Sequence, residues 1–167
     1  VERALELTEA GRSFQSQCDP LAFRARLHAE LGELDAARRR VVEVVGLWAE
    51  TRSAYLDQWV LEAWYAAWRT DEEARLDAAI AAMRQNPWAE VASAMIRRDF
   101  AAAAARLDEM GAVSAAALAR LWAAEWLIEQ GRPAEASEYL EQSLAFWRSV
   151  GASAYARRGE SLLAAAS

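Results

Sequence analysis

Apolar residues recur every three to four positions along nearly all of the chain, in stretches separated by short polar turns. That spacing is the signature of amphipathic helices. It predicts helices near 1–16, 20–31, 35–50, 53–69, 71–85, 88–98, 100–110, 113–130, 133–149 and 153–166. The punctuation between them has a physical reading. Asp19 before Pro20 reads as an N-cap with proline at the first helical position. Thr70-Asp71-Glu72-Glu73 reads as a capping box, with the Thr70 hydroxyl and the Glu73 carboxylate each taking one orphan amide. Asn86-Pro87 predicts a helix end, because the residue before proline avoids helical geometry. Gly111, Gly131 and Gly151 suit left-handed C-caps.

The helices fall into pairs joined by very short turns, at Leu31–Asp35, Trp68–Asp71, Arg98–Phe100 and Gln130–Pro133. The turn centres near 32, 70, 98 and 131 lie 38, 28 and 33 residues apart. A recurring helix–turn–helix unit of this size suggests a repeat array. The last pair carries Ala124 in its first helix, Gly131 in the turn, then Ala136, Leu140 and Leu144. It resembles a tetratricopeptide repeat. The first pair resembles it through Ala25, Leu31-Gly32, Leu34, Ala37, Val41 and Val45. The third, with Phe100, Ala103 and Leu107, fits more loosely because Arg98 stands where the turn glycine belongs. The second departs from the pattern at Arg75. The resemblance implies an all-α fold of antiparallel helix pairs stacked as a solenoid, with residues 1–167 as a single repeat domain. It implies that Ala25, Ala37, Ala103, Ala124 and Ala136 are buried where helices approach closely. The run from Ser143 to Ala166 is also similar to the end of the repeat region in large actinobacterial signalling proteins, which join an ATPase, and often a cyclase or DNA-binding domain, to helical repeats.

Composition supports the helical reading. Ala fills 41 of 167 positions, and Ala, Leu, Glu, Arg and Gln lose little rotamer freedom in a helix. All 19 basic residues are Arg, which removes a phosphate-loop lysine and Schiff-base chemistry. With one cysteine, Cys18, no intrachain disulfide forms; with one histidine, His28, no multi-histidine metal site forms. The net charge is −6, and acids outnumber bases in every third of the chain, so no basic footprint for nucleic acid exists. No apolar run reaches the length of a membrane span, and no secretory leader pattern opens the chain. The expected compartment is cytoplasmic. The helical reading begins at Val1 without a cap, which suggests a fragment of a longer protein; a processed start is the alternative.

Eight tryptophans are the most unusual feature. On the helix near 53–69, Tyr55 and Trp59 share one face while Trp64, Tyr65 and Trp68 fall on roughly the opposite side. A helix apolar on two sides is either sandwiched between neighbours or lining a groove. The first alternative makes these rings core. The second makes an aromatic groove with Trp64, Tyr65 and Trp68 first, Trp59 second, and Arg69 and Glu62 at its rim. Arg38-Arg39-Arg40 spans too wide an arc for one face and reads as solvated surface. A catalytic His28 would need a positioned nucleophile and an orienting acid; Cys18, ten residues away across Asp19-Pro20, is the one cysteine available and reads rather as a small apolar residue. Glu135, Glu138 and Glu141 follow an exposed helix face.

The functional expectation is a non-catalytic interaction or sensory module of a bacterial signalling or regulatory protein. It would bind a protein or peptide partner, an effector, or other domains of the same polypeptide, on a concave helical surface. No cofactor, metal, membrane or nucleic acid is expected. Two alternatives from other classes are a small-molecule-binding or enzymatic helical domain using acidic residues, and a self-assembly module forming a homo-oligomer. An acidic cavity would favour the former, and a large exposed apolar patch would favour interaction or assembly.

Overall fold

A computed structural model describes residues 14–51, 57–81 and 86–166. The described residues form nine α-helices and no strand: α1 (Phe14–Glu30), α2 (Leu34–Thr51), α3 (Trp59–Arg69), α4 (Glu73–Ala81), α5 (Pro87–Ile96), α6 (Phe100–Glu109), α7 (Val113–Glu129), α8 (Pro133–Ser149) and α9 (Ser153–Ala166). The chain is all-α, and each helix packs against sequence neighbours within two compact units, Val1–Ile96 and Arg97–Ser167. The expected helix near 1–16 and the C-terminal end of that near 71–85 fall mainly outside the described residues, as does Tyr55.

The turns share one stereochemical device. Gly32, Gly111, Gly131 and Gly151 all have φ between 68° and 77°. After each, an amide reaches back across the turn, as Arg132 N–H does to Leu127 O at 2.9 Å and Ala112 N–H to Leu107 O at 2.9 Å. These bonds satisfy carbonyls that the helix end leaves open. Asp71 and Arg98 hold the same left-handed conformation, at φ 60° and 63°, without being glycine. A side chain there costs about 1–2 kcal/mol, least for a short polar residue such as Asp71.

Two expected caps are corrected. Residues Asp19 and Pro20 do not start a helix; α1 runs through them. Cys18 and Leu21 are both buried on either side of Pro20, together with Ala22, Ala25 and Ala29. A break would lift this stripe out of the core, and its burial outweighs the bond that proline removes. Thr70 does not cap α4; its hydroxyl donates to Ala66 O at 2.7 Å, closing the end of α3. Glu73 instead accepts the indole N–H of Trp64 at 2.9 Å. Asn86 caps α5, its Oδ1 accepting the Ala89 amide at 2.8 Å; the helix end expected before it lies outside the described residues.

Each unit is built around one largely buried helix. In the first, α3 touches α1, α2, α4 and α5, and every residue from Trp59 to Ala67 is buried. In the second, α7 touches α6, α8 and α9. Small residues make these approaches close: Ala25, Ala37, Ala103, Ala124 and Ala136 are all fully buried, as the repeat pattern predicts. Gly159, inside α9, serves the same end, because a Cβ there would lie 2.8 Å from Leu144 Cδ2. Polar ties cross between helices where burial is incomplete. Arg38 donates to Thr70 O at 2.8 Å, so it pins α2 to the α3–α4 turn and is more than solvated surface. Arg158 pairs with Glu125 at 2.6 Å and Arg148 with Glu160 at 2.7 Å. Among the described residues no helix is long and apolar enough to cross a membrane.

Candidate functional site

The six residues of the expected aromatic groove divide. Trp64 is 0% exposed and Tyr65 is equally inaccessible, so both are core. Their neighbour Trp68 is half-buried, with its ring stacked on Trp64 at 5.6 Å and set edge-on to Tyr65 at 5.5 Å. Arg69 lies over the Trp68 ring at 5.1 Å. The groove led by Trp64 and Tyr65 is therefore not present; α3 is sandwiched, and its second apolar side meets neighbouring helices. Trp59 and Glu62 have a different setting, since both line a cleft of about 710 Å³ within the first unit.

Asp19, Pro20 and Phe23 of α1, Asp57 and Gln58 at the start of α3, Trp59 and Glu62 within α3, and Trp88 of α5 form this cleft. Its volume falls in the range of ordinary small-molecule sites, about 300–1,000 Å³. Two hollows in the second unit, of about 260 and 200 Å³, fall below it. Phe23 is 38% exposed and Trp88 half-buried, so two rings of the wall remain open to solvent. Trp59 is held from behind by Trp48, edge to face at 5.3 Å.

The polar side of the cleft is acidic. Asp57 Oδ1 accepts the Trp59 amide at 3.0 Å, which fixes the carboxylate at the first turn of α3. Asp19 shares a hydrogen bond with Asp57; burial, then the Asp57 charge, pushes its carboxyl up to about 6. The Cys18 thiol is pushed up to about 12, first by burial and then by these two acids. A thiol so protonated is no nucleophile at neutral pH, and Cys18 is fully buried, as the sequence suggests. Glu62 is raised by its burial, against the opposing pull of Arg26. Arg26 is itself buried, ion-paired to Glu62 and bonded to Glu30 at 2.8 Å, with its guanidinium over the Phe23 ring at 4.7 Å. His28 stands apart from the cleft lining, with Nδ1 on Glu33 Oε2 at 2.5 Å. No group of three or more metal-ligating side chains is assembled among the described residues.

Asp19, Phe23, Asp57, Gln58 and Trp88 were not singled out by sequence reasoning as site residues, yet one signal for them exists. Asp19 and Asp57 are 38 residues apart, the same interval that separates the first two turns near 32 and 70. Each lies 13 residues ahead of its turn, Asp19 inside α1 and Asp57 just before α3. Ala25 and Ala63 are likewise 38 residues apart, and both are fully buried. The packing of α1 against α3 brings Asp19 and Asp57 into the lining of one cleft. Comparison of the chain with protein-family models, with curated proteins and with solved structures finds no match.

Proposed function

We propose that the chain is a non-catalytic, small-molecule-binding helical module, with the cleft between α1, α3 and α5 as its binding site. One observation carries this reading: a cleft of about 710 Å³ combines exposed aromatic walls with a small set of fixed carboxyl groups. Apolar enclosure with few, well-placed polar groups is what distinguishes ligand sites from packing defects. Of the alternatives open to the sequence, this favours an acid-using binding domain over capture of a partner helix. Catalysis is set aside because the nearest nucleophile, Cys18, is buried and protonated.

In this reading the module is the sensory part of a larger regulatory polypeptide, built from tetratricopeptide-like pairs. The 38-residue spacing of Asp19 and Asp57 supports the repeat reading. A ligand bridging α1, α3 and α5 would stiffen the first unit, and that change in stability is the signal available to attached domains. A fragment screen by ligand-observed NMR tests the site. Gln58 is exposed at the rim, so Gln58→Trp fills the cleft without touching the core. Fragments that bind the natural chain and lose binding to Gln58→Trp are expected. Fragments that bind both proteins equally would refute the cleft as the site.

A further inference from the structure

Helices α1 and α7 correspond position by position at a distance of 99 residues. Phe14–Glu30 and Val113–Glu129 have the same length, and α2 and α8 follow them at Leu34 and Pro133. Their turns are closed alike. Gly32 and Gly131 take φ of 77° and 70°, and the Glu33 and Arg132 amides reach back to His28 O at 2.8 Å and Leu127 O at 2.9 Å. The positions that face the core agree as well: Cys18 and Ala117, Ala22 and Leu121, and Ala25 and Ala124 are all buried.

The outer faces differ. On α7, Ala119 and Trp122 are buried, and the Trp126 ring meets Phe100 of α6 edge-on at 5.5 Å. On α1 the same positions are Pro20, Phe23 and Leu27; Phe23 is 38% exposed and the other two are half-buried. Leu31, just past the helix end, is 72% exposed. Steps of three, four and four residues place Pro20, Phe23, Leu27 and Leu31 on one side of α1. They make an apolar strip about 16 Å long, at 1.5 Å per residue. The strip is open because a neighbour is lacking. α7 packs against α6, α8 and α9, whereas α1 packs, among the described residues, against α2 and α3, the two helices that follow it. No described helix stands to α1 as α6 stands to α7.

α6 shows what such a strip accepts. It has ten residues, a length of about 15 Å. It buries Phe100, Ala103, Ala104 and Leu107, a single stripe at i, i+3, i+4 and i+7. The two alanines let the helix axes approach closely. An ion pair edges the seam, from Asp108 of α6 to Arg120 of α7 at 2.5 Å. On α1, Arg24 borders the strip on the corresponding side.

We propose that the open face of α1 docks a helix of a second protein, laid along α1 as α6 is laid along α7. Phe23 and Leu31 stay open in the folded chain, so the occupant is a separate molecule. It is amphipathic, with an aromatic residue, two small residues and a leucine at i, i+3, i+4 and i+7. An acid beside that stripe meets Arg24. The matched apolar stripes supply affinity, and the acid fixes the direction in which the helix lies.

The probe is a fluorescein-labelled peptide with the sequence of residues 99–112, held helical by a lactam bridge that replaces the exposed Ala101 and Ala105. Its anisotropy should rise saturably as the full chain is added, with a Kd below about 1 mM. Leu31 is exposed and does not line the cleft, so Leu31→Glu leaves fold and cleft intact. That variant should weaken the peptide at least about tenfold, because docking strips water from the new carboxylate. Phe100→Asp within the peptide should have the same effect on the natural chain. Equal binding to the natural chain and to Leu31→Glu would overturn the proposal, as would the absence of saturable binding. If the natural chain dimerises in sedimentation and Leu31→Glu abolishes the dimer, the face belongs to a second copy and the separate partner is overturned.

Discussion

Replacing Asp19 with Asn should raise the melting temperature near neutral pH and leave it almost unchanged in acid. Folding moves this carboxyl from its ordinary 3.8 to about 6, through burial first and the Asp57 charge second. A carboxyl shifted upward stabilises the folded chain in full below 3.8, and that contribution is lost as pH climbs through about 6. Above this window the natural chain carries the whole penalty, while the Asn variant carries none. At about 1.4 kcal/mol per pH unit, the shift sets a ceiling of ~3 kcal/mol. Asp19 keeps an exposed face, however, and water screens its repulsion, so about 1 kcal/mol is the expected gain. For a chain of this length that corresponds to a rise of about 2–4 °C. Two competing effects are small. Asn and Asp have similar helix propensity. Asp19 also lies beyond the first turn of α1, where the helix dipole no longer rewards an acid. Thermal melts of both proteins, followed by circular dichroism between about pH 4 and 8, measure the difference. A gap that stays constant across that range would refute the assignment of the shift to Asp19, as would a variant less stable at every pH.

Ala136 is fully buried in the α7–α8 contact, so Ala136→Leu should overpack it and cost about 1–3 kcal/mol, read as a lower denaturation midpoint in urea. Trp64→Ala should cost about 3–5 kcal/mol, since it empties a core site and strands the Glu73 partner. Trp68→Ala should cost about 1–2 kcal/mol, because the ring is half-buried and loses chiefly its stacking on Trp64 and Tyr65; equal losses at the two positions would contradict the sandwiched placement of α3.

Local rules in the chain decide a good deal of this molecule. The helix Leu34–Thr51 and those from Pro87 onward begin and end close to where the apolar period predicts, because hydrogen-bonded helix and a buried face are both written within a few residues of one another; α3 instead begins only at Trp59, with Asp57 and Gln58 outside it. Gly111, Gly131 and Gly151 take the left-handed turn as expected, since that conformation depends on the residue's own stereochemistry. The five small positions from Ala25 to Ala136 are buried, as expected of small residues where helices meet. Where the outcome depended on distant neighbours, the same rules pointed elsewhere. Pro20 reads as a helix start but lies within α1, since the core claims Cys18 and Leu21 together. Thr70 reads as a cap for the next helix but closes the previous one, because Asp71 and not Thr70 takes the left-handed turn. The excess of aromatic surface on α3 is visible in the sequence, but which rings face helices and which face a cleft is decided by α1, α2, α4 and α5 closing around it. The acidic pair is the clearest case. Asp19 and Asp57 are ordinary solvated acids in an extended chain, and only the packing of α1 against α3 brings them into one aromatic-walled cleft. Electrostatic energy depends on distance through space and on lost water, and neither is a property of sequence separation.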